Sequence, residues 1–178
     1  MSIILSQALL MLSEPKWLLM QNVSWKIEND KQANLVWKIS TRTRTSETMP
    51  RGIWFRIQLW QNKPRVATFQ LECDQPNVRA RHVLYRMELN PFGTHVNGGH
   101  GPPHLSGLFI DDGVTHEHSY GHYGEMDGSM ELSQLDPLAA VTINPPKDFD
   151  SSLAHVCATI NIMNLGDIPV VPSQQILI

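Results

Sequence analysis

The sequence predicts an α+β domain: an antiparallel, meander-like sheet with an N-terminal helix and two C-terminal helices packed on one face. Three observations lead there. Apolar residues alternate with period two in 52–60, 65–73 and 81–89, separated by short polar breaks. Helix signals occur only near the two ends of the chain. A length of 178 residues, 42% of them hydrophobic and 17% charged, suits one globular domain over 1–178 rather than a disordered chain.

The elements follow in order. Residues 6–13 read as a short helix with Ser6 as N-cap and Pro15 as terminator. Val23–Ile27 and Leu35–Ile39 flank the polar stretch Glu28–Lys31 and form a hairpin pattern. The polar run 40–51 (STRTRTSETMPR) reads as a loop. Segments 52–60 and 65–73 make a second hairpin, and 81–89 is the next strand, with Val83, Tyr85, Met87 and Leu89 opposite His82, Leu84, Arg86 and Glu88. Asn90–Pro103 is rich in Gly, Pro, Asn and His and reads as a long irregular loop. Leu105–Ile110 is a short strand before the Asp111–Gly113 turn, and Val114–Tyr120 is another. Asp136-Pro137 resembles a helix start, giving a helix through Ile143. A second helix begins at Asp150 or Ser151, with Leu153, Val156, Cys157, Ile160 and Met163 on one face and Gly166 beyond its end. The tail 167–178 reads as an edge strand or packed arm.

Charge is unevenly placed. Residues 1–86 hold thirteen of the fourteen Lys and Arg and net +7; residues 87–178 hold one basic residue and net −10. A basic half can dock a polyanion; equally, the halves can interleave in one fold and neutralise each other. No apolar run reaches bilayer-spanning length, and the N-terminus lacks the basic start and cleavage site of a secretory signal. Cys73 and Cys157 stand far apart, outside any metal spacing, and read as reduced buried thiols. A cytoplasmic protein without a membrane partner is the expectation.

The chemical bias lies in 95–122, which holds six of the eight histidines: His95, His100, His104, His116, His118 and His122. Neutral imidazole titrates near neutrality and is the commonest metal ligand. On a strand, His116-Glu-His118 places both rings on one face, about 7 Å apart at Cα for ~3.3 Å of rise per residue. His95, with Asn97, lies in the preceding loop and can close over that face. Arg86 can hold a phosphoryl group.

Two chemistries fit these residues. In the first, a neutral histidine takes the proton of a ribose 2′-hydroxyl, a protonated histidine or Tyr120 serves the leaving oxygen, and Arg86 stabilises charge on phosphorus. In the second, three histidines with Asp111, Asp112 or Glu117 hold one divalent metal. No HExxH, Cys–His pair, EF-hand loop, P-loop or dinucleotide fingerprint occurs. His82, His100, His122 and His155 read as structural or solvent-facing, and His104-Leu-Ser106 is only half of a two-histidine phosphodiesterase signature.

The segments SQALLMLSEPKW, ATFQLECDQPNVRARHVLYRMELNPFGTHVNG and GVTHEHSYGHYGE resemble a family of small prokaryotic and phage proteins known only as a domain of unknown function. The positions carrying the resemblance are Leu84, Arg86, Glu88, His95, Asn97, Gly113, His116, His118 and Tyr120. The layout also looks like the TumE-like toxins of toxin–antitoxin modules. Gly98 departs from that pattern where Pro is expected, and 99–112 form an insertion between the two histidine motifs. The resemblance implies a toxin or phage–host conflict protein acting on RNA. The resulting expectation is an RNA-cleaving toxin or defence effector with His95, His116, His118, Arg86 and Tyr120 as its catalytic set. It would need no cofactor or one divalent metal, act on RNA or a nucleotide, and answer to an antitoxin or other inhibitor protein. The alternatives are a non-catalytic binding module on the same histidine face, as in a phage anti-defence protein, and a metal-dependent phosphodiesterase.

Overall fold

In a computed structural model, described over residues 2–29, 35–45, 52–63, 65–75, 80–99, 101–124 and 126–171, helix α1 (Leu5–Ser13) leads into strands β1 (Lys16–Leu18), β2 (Lys26–Asn29), β3 (Leu35–Thr45), β4 (Ile53–Trp60), β5 (Ala67–Asp74) and β6 (Arg81–Leu89). A small pair follows, β7 (His95–Val96) and β8 (Phe109–Ile110), then β9 (His116–Ser119), two 3₁₀ turns, β10 (Leu138–Val141), helix α2 (Phe149–Thr159) and a last 3₁₀ turn. The main sheet runs β1-β3-β4-β5-β6-β9-β10, with β2 also paired to β3, and each of these pairs is antiparallel. The fold is thus α+β, with a mostly antiparallel sheet and two α-helices. Residues 167–171 form no strand, and 172–178 lie outside the described residues.

Alternation explains why one face is filled. Ile53, Phe55, Ile57 and Leu59 of β4 and Phe69, Leu71 and Cys73 of β5 all point into one core, joined by Leu5, Ala8 and Met11 of α1 and Val156 and Cys157 of α2. Phe149 packs on Phe69 at a ring separation of 5.4 Å. Both cysteines are buried and outside any disulfide, and burial pushes the Cys157 thiol up to about 12. Beside the core, the Lys16 Nζ donates to the carbonyls of Leu12, Glu14 and Ile160 at 2.6–2.9 Å, tying together the C-terminal ends of the two helices. Among the described residues no helix is long and apolar enough to cross a membrane.

Three expectations need correction. Residues 40–45 continue β3 rather than opening a loop. Their polar Thr/Arg alternation is a strand pattern, with Thr41 and Thr43 buried and Arg42 and Arg44 exposed; 46–51 lie outside the described residues. Residues 138–141 form β10, not a helix. The Asp-Pro start signal is local, whereas Leu138–Val141 gains a full antiparallel ladder on β9. Among the described residues one C-terminal α-helix, α2, therefore remains. Finally, α1 starts from Ile4 rather than Ser6, with Gln7 accepting the Ile4 N–H at 3.2 Å.

The two charge halves share one sheet but lie side by side in it, with β9 and β10 following β6 at one end of the strand order.

Candidate functional site

Register sets the site. Across β6 and β9, Arg86 faces His118 and Glu88 faces His116, so these four side chains share the face turned away from the helices. The β7–β8 pair folds over this face. It brings the His95 ring to 4.5 Å from His118 and 5.7 Å from His116, centroid to centroid. The three histidines expected to form the centre therefore meet, and one ligand nitrogen from each lies within 4.8 Å of the others.

Asn97 holds His95 in place. Its Oδ1 accepts the Ala139 N–H at 2.8 Å, while its Nδ2 donates to the carbonyls of Ala139 at 2.7 Å and Leu105 at 2.9 Å. With the amide orientation fixed by those backbone groups, Oδ1 can only accept from His95 Nε2, 3.1 Å away. The neutral His95 ring consequently keeps its lone pair on Nδ1. At Gly101, φ is +100° and a Cβ would lie 2.5 Å from Leu138 Cδ1, so this loop needs glycine to pack on β10.

The two strand histidines are pushed in opposite directions by their surroundings. His116 donates from Nδ1 to the Val114 carbonyl at 2.8 Å and sets Nε2 3.1 Å from Glu88 Oε2. Burial opposes its charge, but the Glu88 and Val114 contacts outweigh that and hold its pKa above the ordinary histidine value. Glu88 shows the reciprocal effect. Burial works against its ionisation, yet His116 and the Arg86 guanidinium keep the carboxyl well below its usual range.

His118 is neutral. Burial, with Arg86 nearby, lowers it to about 4. Arg86 Nη2 lies 3.1 Å from His118 Nε2, and a guanidinium can only donate, so that nitrogen is the acceptor and the ring proton sits on Nδ1. Glu88 Oε2, 3.7 Å from the same Nε2, is too distant to compete.

A cleft of about 520 Å³ opens beside this cluster, lined by Arg81, His82, Arg86, His95 and His118, with Asp136 its one carboxylate. His116 and Glu88 are not on its wall and support the lining residues from behind. Tyr120 borders the cleft, but it opens the 3₁₀ turn Tyr120–Tyr123 instead of continuing β9, and its hydroxyl donates to the Leu135 carbonyl at 3.1 Å.

Sequence reasoning left Glu88 out of the catalytic set and Arg81 and His82 out of the cleft. Glu88 had a usable signal, two residues from Arg86 on the same strand face. The expected metal carboxylates do not reach the histidines. Asp111 and Asp112 are exposed, with Asp112 accepting from the Gly93 N–H, and Glu117 points to the opposite face. His104 is exposed, His122 is half-buried, His155 pairs with Glu117, and His100 lies outside the described residues.

Fold and site together define an α+β sheet protein with a histidine–arginine cleft on its open face. No protein-family model, curated protein or solved structure matches the chain.

Proposed function

We propose that the cleft binds and cleaves a phosphodiester of RNA without a metal, making the protein a cytoplasmic RNA-cleaving effector of the toxin or defence type, held in check by an antitoxin-like inhibitor. The observation that carries this reading is His95, with the lone pair of its neutral ring on Nδ1, in a cleft lined also by the donors Arg81 and Arg86 and by a single carboxylate, Asp136. His95 Nδ1 takes the 2′-hydroxyl proton, the 2′-oxygen bonds to phosphorus, and the 5′-oxygen leaves, taking a proton from water at the mouth. Arg86 and the His118 Nδ1–H stabilise the charge that develops on the phosphoryl oxygens. His116 and Glu88 are positioning residues that keep Arg86 and His118 in place. Tyr120, its hydroxyl engaged with Leu135, supports the wall rather than supplying the acid. The motif resemblance noted above is what attaches this chemistry to toxin–antitoxin modules.

Purified protein should release fragments ending in a 2′,3′-cyclic phosphate from an RNA substrate with chelator present, and expression without an inhibitor should slow growth. If the His95→Ala and His118→Ala variants cut RNA as fast as the parent, the reading is wrong.

A second reading has its own support. His95 and His116 each tie one ring nitrogen to a fixed acceptor, the usual support for a metal-bound imidazole, and one nitrogen from each of His95, His116 and His118 lies within 4.8 Å of the others. His95, His116, His118 and Glu88 would then hold a single divalent ion acting as Lewis acid. Arg86 donating to the His118 lone pair weighs against it. Elemental analysis of the purified protein decides: a stoichiometric metal lost in His116→Ala favours this second reading.

A further inference from the structure

The open face of the sheet carries a feature that reaches well beyond the cleft. Among the described strand residues, seven lysines and arginines of β2, β3, β4 and β6 lie on that face against four carboxylates, a net +3 in a chain whose total is −3. Two of these cations lie over tryptophan rings, one in stacking contact and one at the outer edge of cation–π range. The Arg81 guanidinium lies 3.8 Å from the centre of the Trp54 ring, held there by Glu72 at 3.2 Å, while Trp54 Nε1 donates to Asp74 at 2.8 Å. Farther along, Arg44 lies 5.9 Å above Trp17, its register partner on β1. Arg42, opposite Trp54 on β3, stands between the two stacks and is exposed.

The row begins at the cleft, because Arg81 also lines it. From β6 to β3 it crosses three strand spacings, roughly 14 Å. A guanidinium on an indole offers a positive charge and a flat π surface side by side. An unpaired polynucleotide presents the complementary pair, a phosphate and a base, at every residue. A duplex hides its base faces and would meet only the charges.

We propose that this sheet face binds single-stranded RNA along Arg81–Trp54, Arg42 and Arg44–Trp17 and leads it into the cleft. The proposal rests on the phosphodiester reading of the cleft for its substrate, and its test separates the two. The probe is a fluorescent single-stranded 2′-O-methyl RNA oligomer, which cannot be cut, titrated with the full chain at several salt concentrations.

Arg42→Ala/Arg44→Ala, at two exposed positions, should weaken binding about tenfold at low salt and reduce the slope of log K against log salt by about 1.4, for two lost phosphate contacts. Trp17→Leu should weaken binding by about fivefold or more through lost stacking. The proposal is overturned if the double arginine variant binds as tightly as the parent, or if duplex RNA of equal length binds as well as the single strand. Binding that depends on these residues in a protein that cuts no RNA keeps the sheet-face proposal and removes the cleft chemistry. Unchanged binding by the double variant, with cutting intact, does the reverse.

Discussion

Strand β9 separates two histidine–carboxylate pairs that lie back to back. On the open face His116 stands 3.1 Å from Glu88; on the helix face His155 stands 2.7 Å from Glu117. The shorter contact is the simpler one. Glu117 serves His155 and, at 3.4 Å, Thr142, and the His155 side chain is 38% exposed, so this is a latch between α2 and the sheet of the weakly stabilising, solvent-screened kind. Glu88 answers to His116 and Arg86 at once, and Arg86 in turn reaches His118. Two buried histidines, 1% and 3% exposed, thereby have their pKa values driven in opposite directions. Groups whose environments drive their pKa values apart mark acid–base machinery more reliably than a single tight pair does.

The sharpest way to break this comparison is to remove one ring from each side. His95→Ala should lower RNA cleavage about 10²–10⁴-fold, the usual worth of a positioned base, whereas His155→Ala should leave single-turnover cleavage unchanged. Equal losses would erase the distinction.

Next in size is a pH effect on folding. His118 has its folded pKa depressed to about 4 against 6.5 ordinarily, so the unfolded chain takes up a proton first as pH falls. Stability from this group is complete above about 6.5 and is lost on the way down to 4, on the order of 3 kcal/mol. Urea unfolding between pH 7 and 4 should show this decline, and it should flatten in His118→Gln.

His116 has the opposite sign. Its raised folded pKa gives stability that is full below 6.5 and lost as pH rises through the folded value. Glu88→Gln should therefore destabilise by roughly 2 kcal/mol at pH 6, less than a wholly buried pair would lose because Glu88 is 23% exposed, and by less at pH 9. Smallest is Glu117→Gln, expected at about 1 kcal/mol or below with cleavage intact.

Much of this arrangement can be read from period two alone. The alternation in 53–60, 67–73 and 85–89 gives the central strands, although the bulge in β6 places Val83 opposite Glu72 rather than with Tyr85, and the same rule puts His116 with His118 and separates Glu117 from both. The β3 extension is missed because its buried positions are Thr41 and Thr43, whose hydroxyls donate to the Leu19 and Ile53 carbonyls; hydropathy does not register a threonine satisfied in this way. Strand β10 is missed because Asp136-Pro137 is a local signal, and only the pairing with β9 overrides it. The Arg81–Trp54 stack joins residues 27 apart in sequence and depends on the bulge opposite Leu71/Glu72, which no local pattern announces.

The Asn97 amide also lies against the outermost strand of the main sheet. Among the described residues β10 has β9 on one side only, and an uncovered edge of that kind invites another chain to pair with it. By gripping both backbone groups of Ala139, Asn97 acts as a one-residue strand that closes this rim. The residue that orients His95 thus also covers a backbone position on this edge. A change at Asn97 would lose activity and solubility together, so a sluggish Asn97 variant should first be checked by its sedimentation.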